Sequence, residues 1–504
     1  MEGESRTLRP RWYALLAAAF VLCATGCTGV REYVRNGFKV GPDYCPPAAS
    51  PASTWIDEAD VRVRSGSEPP VRWWSVLNDA TLNGLIESAA SQNLSLREAG
   101  LRILEARAQL AIAKGTFFPQ SQNAFGAYNR AVTPGYDINV PGYPVFHVPP
   151  SFFEQWDFGF NLSWELDFWG RIRRAIAAAD ATLDASVAGY DDVLVTLLGD
   201  VASNYVQVRT LQKRIELLRE NADLQRKIYR IAQRRFQEGQ RDELDAAQGG
   251  SILDQTESQI PRLRVALREA CNRLCVLLGS APFDLERQLG ERAIPDVPEE
   301  IFVGVPADLL RRRPDVRRAE RLAAAQAERI GIAQADLYPI FAVNGTLGWE
   351  AGGLSRLFTS NSLNGNVGPA FQWNILQYGR IRNNVRLQDA EFQRLVTQYQ
   401  QTVLQANAEV ESAMARFVQA HESAELLDRS VANAQKAVAI ISRKQEEGAV
   451  DFNRVALIAQ TLVQQQDLQA QAHGEIAEGL ILVYRALGGG WEVPVAEPAP
   501  SETE

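Results

Sequence analysis

At 504 residues, 46% hydrophobic and 22% charged, the chain has ample apolar material for an ordered core and cannot be mostly disordered. Its net charge of −9 argues against nucleic-acid binding, because phosphate contacts need a basic face. Five cysteines and three histidines, without HExxH spacing, and the lack of a P-loop, dinucleotide fingerprint or nucleophile elbow predict no enzyme, no cofactor and no metal site.

In chain order, Arg6, Arg9 and Arg11 precede an apolar run from Tyr13 to Leu22, followed by Ala24-Thr25-Gly26-Cys27. A basic start, a short apolar stretch and small residues make an export signal over residues 1–26, too short to span a bilayer. Small residues just before a cysteine resemble a lipobox, so Cys27 is expected to be the lipidated first residue of the mature chain, opening a linker over 27–72. Ala24 stands where bacterial lipoboxes usually carry Leu, and an ordinary cleaved signal with an incidental cysteine is the alternative. No later segment has 18 consecutive apolar residues, so any membrane crossing must be made by strands.

Beyond the linker one design is written twice. Trp164 and Gly170-Arg171-Ile172-Arg173 recur 209 residues later as Trp373 and Gly379-Arg380-Ile381-Arg382. The same offset relates Gly239 to Gly448, Asp242 to Asp451, and Leu278-Gly279 to Leu487-Gly488. Upstream, Phe118-Pro119 recurs as Tyr338-Pro339 at an offset of 220, so the first copy carries extra residues before Trp164, in the Pro/Gly-rich stretch 131–155. The repeats are expected over 73–279 and 306–488, with a connector at 280–305 and a tail at 489–504.

Each copy reads helix, strand, loop, strand, long helix, turn, helix. In 156–168, Trp156, Phe158, Phe160, Leu162, Trp164, Leu166 and Phe168 alternate with polar or small residues, which puts the apolar groups on one face. A tilted membrane strand needs about 9–11 residues, so this length predicts a lipid-facing strand. A companion is expected at about 120–130, and the second copy repeats the pair at about 340–350 and 366–378, with Phe371 and Trp373 on the lipid side. Arg171 to Phe236 contains no proline and predicts one helix on the order of 100 Å long. A return helix from Glu243 and a helix over about 95–115 together match its length. Cys271 and Cys275, four apart on the return helix, are expected to be small buried hydrophobes rather than a redox or metal pair. Four strands cannot close a barrel around a lumen, and open edges in lipid leave unpaired backbone groups, so oligomerisation is expected.

Four segments, in order, resemble the TolC-like outer-membrane efflux channels, lipoprotein branch of the OprM/NodT type. They are VGPDYCPP (40–47), WWSVLNDATLNGLI (73–86), WELDFWGRIRR (164–174) and LLRRRPDVRRAE (309–320). Cys45 departs from the basic residue usual at its place. The resemblance implies a mixed α and membrane-β fold: a homotrimer with a twelve-stranded barrel on an α-helical barrel in the periplasm. It implies an outer-membrane channel exporting small molecules, with a periplasmic adaptor protein and an inner-membrane pump of the resistance-nodulation-division type as partners, and outer-membrane lipid around the strands. By position, the resemblance puts the adaptor contact and pore constriction at Gly239, Gln240, Arg241 and Asp242 and at Gly448, Ala449, Val450 and Asp451. The aspartate of the family's Asp-Ala-Gln run after the second tip is replaced here by Leu457 or Ile458, depending on alignment, so an acidic ring of Asp242 and Asp451 and an apolar constriction both stand. The competing functions are a channel for protein or peptide secretion and a structural periplasmic lipoprotein.

Overall fold

The computed structural model describes residues 30–492 apart from 50, 67–69, 241 and 447–449. Helices α1 (Val30–Arg35), α2 (Ala80–Gln92) and α3 (Leu94–Gly115) lead into strands β1 (Ser121–Thr133) and β2 (Ser151–Leu166). Helices α4 (Arg171–Gln237) and α5 (Glu243–Leu277) complete the first copy. The second follows with α6 (Pro314–Ala335), β3 (Ile340–Ala351), β4 (Leu363–Gln372), α7 (Arg380–Glu446) and α8 (Phe452–Ala486). Corresponding helices have equal lengths: 22 residues in α3 and α6, 67 in α4 and α7, 35 in α5 and α8. Among the described residues no helix is long and apolar enough to cross a membrane.

The chain forms two compact units. The first takes the described part of the chain up to Pro47, Leu104–Asp184 and Glu320–Thr397; the second takes Ala48–Ile103, Ala185–Ala319 and Gln398 onward. Both long helices contribute to each.

In the second unit the return helices end against the residues that open the short ones. Asn93 accepts from the Leu96 amide at the start of α3 and donates its own amide to the Leu277 carbonyl at 2.9 Å. One side chain thus satisfies an orphan group on each of two helix ends. The second copy divides the task between two side chains: Arg313 donates to the Ala486 carbonyl at 2.8 Å, and Asp315 accepts from the Val316 amide at 2.9 Å. Gly279 leaves α5 with φ 71°, its amide bonded to Val276 and that of Ser280 to Cys275, the paired bonds of a left-handed helix terminus. A Cβ there would fall 2.3 Å from the Gln92 carbonyl oxygen, so no other residue fits. The core of this unit gathers Trp73, Leu82, Leu198, Tyr205, Leu274, Phe417, Leu480 and Tyr484. Cys271 and Cys275 are buried in it, as apolar packing, and burial pushes the Cys271 thiol up to about 11.

The first unit holds a four-stranded antiparallel sheet in the order β1-β2-β3-β4. Several strand ends differ from those expected: β1 runs on to Thr133, β2 begins at Ser151 rather than 156, and β4 begins at Leu363 rather than 366. β2 stops at Leu166 rather than Phe168, and β4 runs from Leu363 to Gln372 rather than to residue 378, leaving Trp373 outside the ladder. The last pairs are Leu166 with Phe341 and Gln372 with Ile340. Pro339, which cannot donate to a ladder, ends the strand both would need as partner. The extra residues of the first copy lie partly in longer strands and partly in a small hairpin, Tyr136–Ile138 with Phe146–Val148.

Candidate functional site

Register decides which side chains share a face of the sheet, since directly paired residues of antiparallel strands point the same way. Trp156, Phe158, Phe160, Leu162, Trp164 and Leu166 pair with Ala351, Trp349, Leu347, Gly345, Val343 and Phe341. Beyond these lie Leu363, Gly365, Val367, Pro369 and Phe371 of β4. One face is therefore apolar across β2, β3 and β4, and much of it is uncovered: Phe160 is 50% exposed, Leu347 53%, Val367 78% and Phe371 72%. A contiguous exposed apolar face of this kind marks a membrane or partner surface. The opposite face is laced by polar side chains. Ser163 donates to Asn344 and Thr346 to Asn161, while Gln155 and Asn364 both donate to Glu350.

Trp164 and Trp373 share a role that the repeat predicts. Each indole donates to a carbonyl in the turn before the partner strand, Trp164 to Phe117 at 3.2 Å and Trp373 to Leu337 at 3.0 Å. An apolar ring whose N–H is hydrogen-bonded at the end of a strand suits a membrane interface. Trp373 reaches that place from just past β4.

Beside this strand end the N-terminal strap is clasped. The Tyr33 ring lies against Phe38, Phe168 and Trp169, and its hydroxyl donates to the Phe168 carbonyl. Arg173 donates to the Gly37 and Phe38 carbonyls, both at 2.8 Å. Arg174, 0% exposed, donates to the carbonyls of Val40 and Gly41 at 2.7 and 2.8 Å and to Glu328 at 2.7 Å. Two consecutive arginines thus hold the strap largely through its backbone. Cys27 lies outside the described residues.

In the second unit, α4 turns into α5 at Gly239, with φ 71°. The Gly239 amide bonds to Phe236 and that of Gln240 to Arg235, again a left-handed terminus that glycine adopts without strain. Asp242 and Asp451 are the N-cap residues of α5 and α8, in matching extended conformations, and neither side chain accepts a capping hydrogen bond. Both carboxylates therefore sit where the helix dipole favours them without being consumed by the cap. Gln240 donates to Glu238 at 3.0 Å. Val450 packs partly buried beside the tip, and Leu457 is 63% exposed. Arg241, Gly448 and Ala449 lie outside the described residues.

Sequence reasoning missed the seam between the two hairpins. Phe452, next to Asp451, is buried with Ile228, Ala232, Ile441 and Val455. A Cβ on Gly249 would lie 3.0 Å from its ring and 3.2 Å from that of Tyr229, so the glycine makes room for both. Arg235 crosses the seam to the Gln445 carbonyl at 2.7 Å. The legible signal was a break in the repeat: Gly249 and Gly250 sit inside a helix where the second copy has Ile458 and Ala459. Among the described residues no cluster of His, Cys, Asp and Glu is arranged to hold a metal.

The family model described as outer membrane efflux protein matches residues 85–280 and 305–489, the two copies. Nodulation protein T of Rhizobium leguminosarum bv. trifolii is 27% identical over 468 residues, covering 92% of this chain and 96% of its own. Pyoverdine export outer membrane protein OpmQ of Pseudomonas putida is 28% identical over 448 residues, covering 88% and 93%. Among solved structures, the outer-membrane channel OprN superimposes with a TM-score of 0.82 at 30% identity, covering 90% of this chain and 99% of that one.

Proposed function

The chain belongs to the outer membrane efflux protein family, and from that membership we propose how its surfaces build the channel. It is an outer-membrane efflux channel, the outer component of a tripartite system, with the fold of the TolC-like channels. In our reading it is a passive conduit without catalytic chemistry, and small molecules are its cargo. The observation that carries this is the sheet: one face apolar and exposed, one face polar, and both outer edges, β1 and β4, unpaired among the described residues. Open edges in hydrocarbon cost several kcal/mol per unpaired group, so each edge must meet another copy. Three copies give a twelve-stranded barrel, within the range of membrane barrels, with the apolar face to lipid and the polar face to water. The long helices then continue the pore as a periplasmic tunnel, with residues 280–305 as the connector. A periplasmic adaptor meets the tips at 239–242 and 448–451, and an inner-membrane pump of the resistance-nodulation-division type supplies the cargo. Reconstitution of the detergent-extracted protein into planar bilayers tests this. Long-lived steps of conductance from a cross-linkable trimer are expected, and a monomer without conductance overturns it.

We further propose that Cys27 carries lipid and anchors the strap at the interfacial aromatics. Tyr33 sits among Phe168 and Trp169, and the intervening residues reach at most roughly 20 Å. Intact-mass measurement of the membrane-extracted protein is expected to give a chain starting at a diacylglyceryl, N-acylated Cys27. A mature chain beginning elsewhere without lipid rejects the anchor.

At the tips, three copies each of Asp242 and Asp451 would place like charges around a narrow ring and favour cations there. Asp451→Arg is expected to lower cation preference and change single-channel conductance while trimers still form. Unchanged selectivity would reduce both aspartates to helix-terminal charges and leave the constriction to apolar groups such as Val450 and Leu457.

A further inference from the structure

The polar face of the sheet carries one large apolar side chain away from the strand ends. On β1 it presents Ser121, Asn123, Phe125, Ala127 and Asn129; on β2, Gln155, Asp157, Gly159, Asn161, Ser163 and Glu165. On β3 it presents Asn344, Thr346, Gly348 and Glu350. Phe125 is the exception, and it does not stand up from the sheet. It pairs with Gly159, which in turn pairs with Gly348. A Cβ on Gly159 would fall 3.0 Å from the Phe125 Cζ atom, so the far end of the ring rests over that glycine. Gly159 is buried beneath it, while Phe125 itself stays partly exposed. The tip of the ring is therefore covered by the backbone of Gly159, and the rest of the ring is partly exposed on the polar side.

The surroundings of the exposed part of the ring are acidic and hydrogen-bond accepting. Asp157 and Glu350 lie on this side of β2 and β3, no Lys or Arg occupies it on any of the four strands, and Glu165 near the end of β2 is paired with Arg171 of the following helix. Asn161, beside Gly159, offers a carbonyl oxygen that already accepts from Thr346. A π face set among carboxylates attracts cations, and aromatic cations most, since they add stacking to the attraction of the ring quadrupole. We propose that Phe125, laid across Gly159, is a stacking platform for aromatic organic cations travelling along the polar face of the barrel. This deepens the channel reading and rests on that face being the lumen. It gives the conduit a chemical preference beyond diameter and charge.

The test is block of single-channel current in planar bilayers by two monovalent probes, aromatic tetraphenylphosphonium and aliphatic tetrabutylammonium. The quantity read is the ratio of their blocking concentrations within one channel, which cancels changes in conductance. Phe125→Leu, which keeps apolar volume over the glycine but removes the ring, is expected to reduce the preference for the aromatic probe about two- to fivefold, the strength of an exposed cation–π contact. Phe125→Tyr is expected to restore it. An unchanged ratio in Phe125→Leu overturns the proposal and leaves Phe125 as filler for the glycine gap. Absence of conductance from the wild-type protein would overturn the lumen assignment itself, a distinguishable failure.

Discussion

Lysine in place of Phe160 or Leu162 is expected to abolish assembly into the outer membrane, whereas lysine at Asn161 or Ser163 is expected to be tolerated. The four positions are neighbours on one strand and differ only in parity. Phe160 and Leu162 share the exposed apolar face with Leu347 and Gly345, while Asn161 and Ser163 bond to Thr346 and Asn344 on the other side. A lysine at the midplane of a lipid-facing strand costs about 2–4 kcal/mol, and a trimer bears it three times. At Asn161 or Ser163 the ammonium remains in water, and the loss is one exposed hydrogen bond, about 1 kcal/mol. The check is the amount of trimer in urea-washed outer membranes. Equal amounts for the two pairs would mean that the register places lipid on the wrong side.

The second large effect is expected at Glu328. Its carboxylate is the nearest charge to the fully buried Arg174, whose other partners are the neutral carbonyls of Val40 and Gly41. Asp43 is farther away, at 3.4 Å, and half-exposed. Glu328→Ala leaves a buried guanidinium without close countercharge, a change that typically costs about 3–5 kcal/mol, with Asp43 offsetting part of it. The strap should loosen first. Limited trypsin digestion of the folded protein is expected to cut after Arg35 and Lys39 at a rate at least tenfold above wild type. Replacing both members, Arg174→Met with Glu328→Leu, is expected to recover much of the thermal stability, because no charge is then stranded. A single variant that resists trypsin like the wild type would show that the strap is held by its other contacts, Arg173 and Tyr33.

Most of the architecture could be read before any coordinates, because it depends on short-range periodicity. Equal helix lengths in the two copies follow from an offset that never slips between Gly170 and Gly279, since one inserted residue would rotate every later side chain by about 100°. The apolar face of β2 follows from a period of two. The strand ends were less legible. Alternating aromatics continue to Phe168 and Trp373, but a strand ends where its partner does, and Pro339 ends it sooner. Long-range packing was least legible. Nothing local links Phe452 to Gly249, or Arg174 to the carbonyls of residues 40 and 41.

The sequence by itself determined the two repeats, the lengths of their helices and the apolar and polar faces of the sheet, while four motifs carried the resemblance to an efflux-channel family. These are properties of periodicity and of residue order, and each is set within a few residues of where it acts. Only the tertiary structure decided the strand register, the strap clasped by Arg173 and Arg174, the Phe452 seam at the tips and the ring of Phe125 lying over Gly159. Each of these joins residues far apart in the chain, and their partners are chosen by shape and by the need to satisfy buried polar groups, which no local pattern encodes.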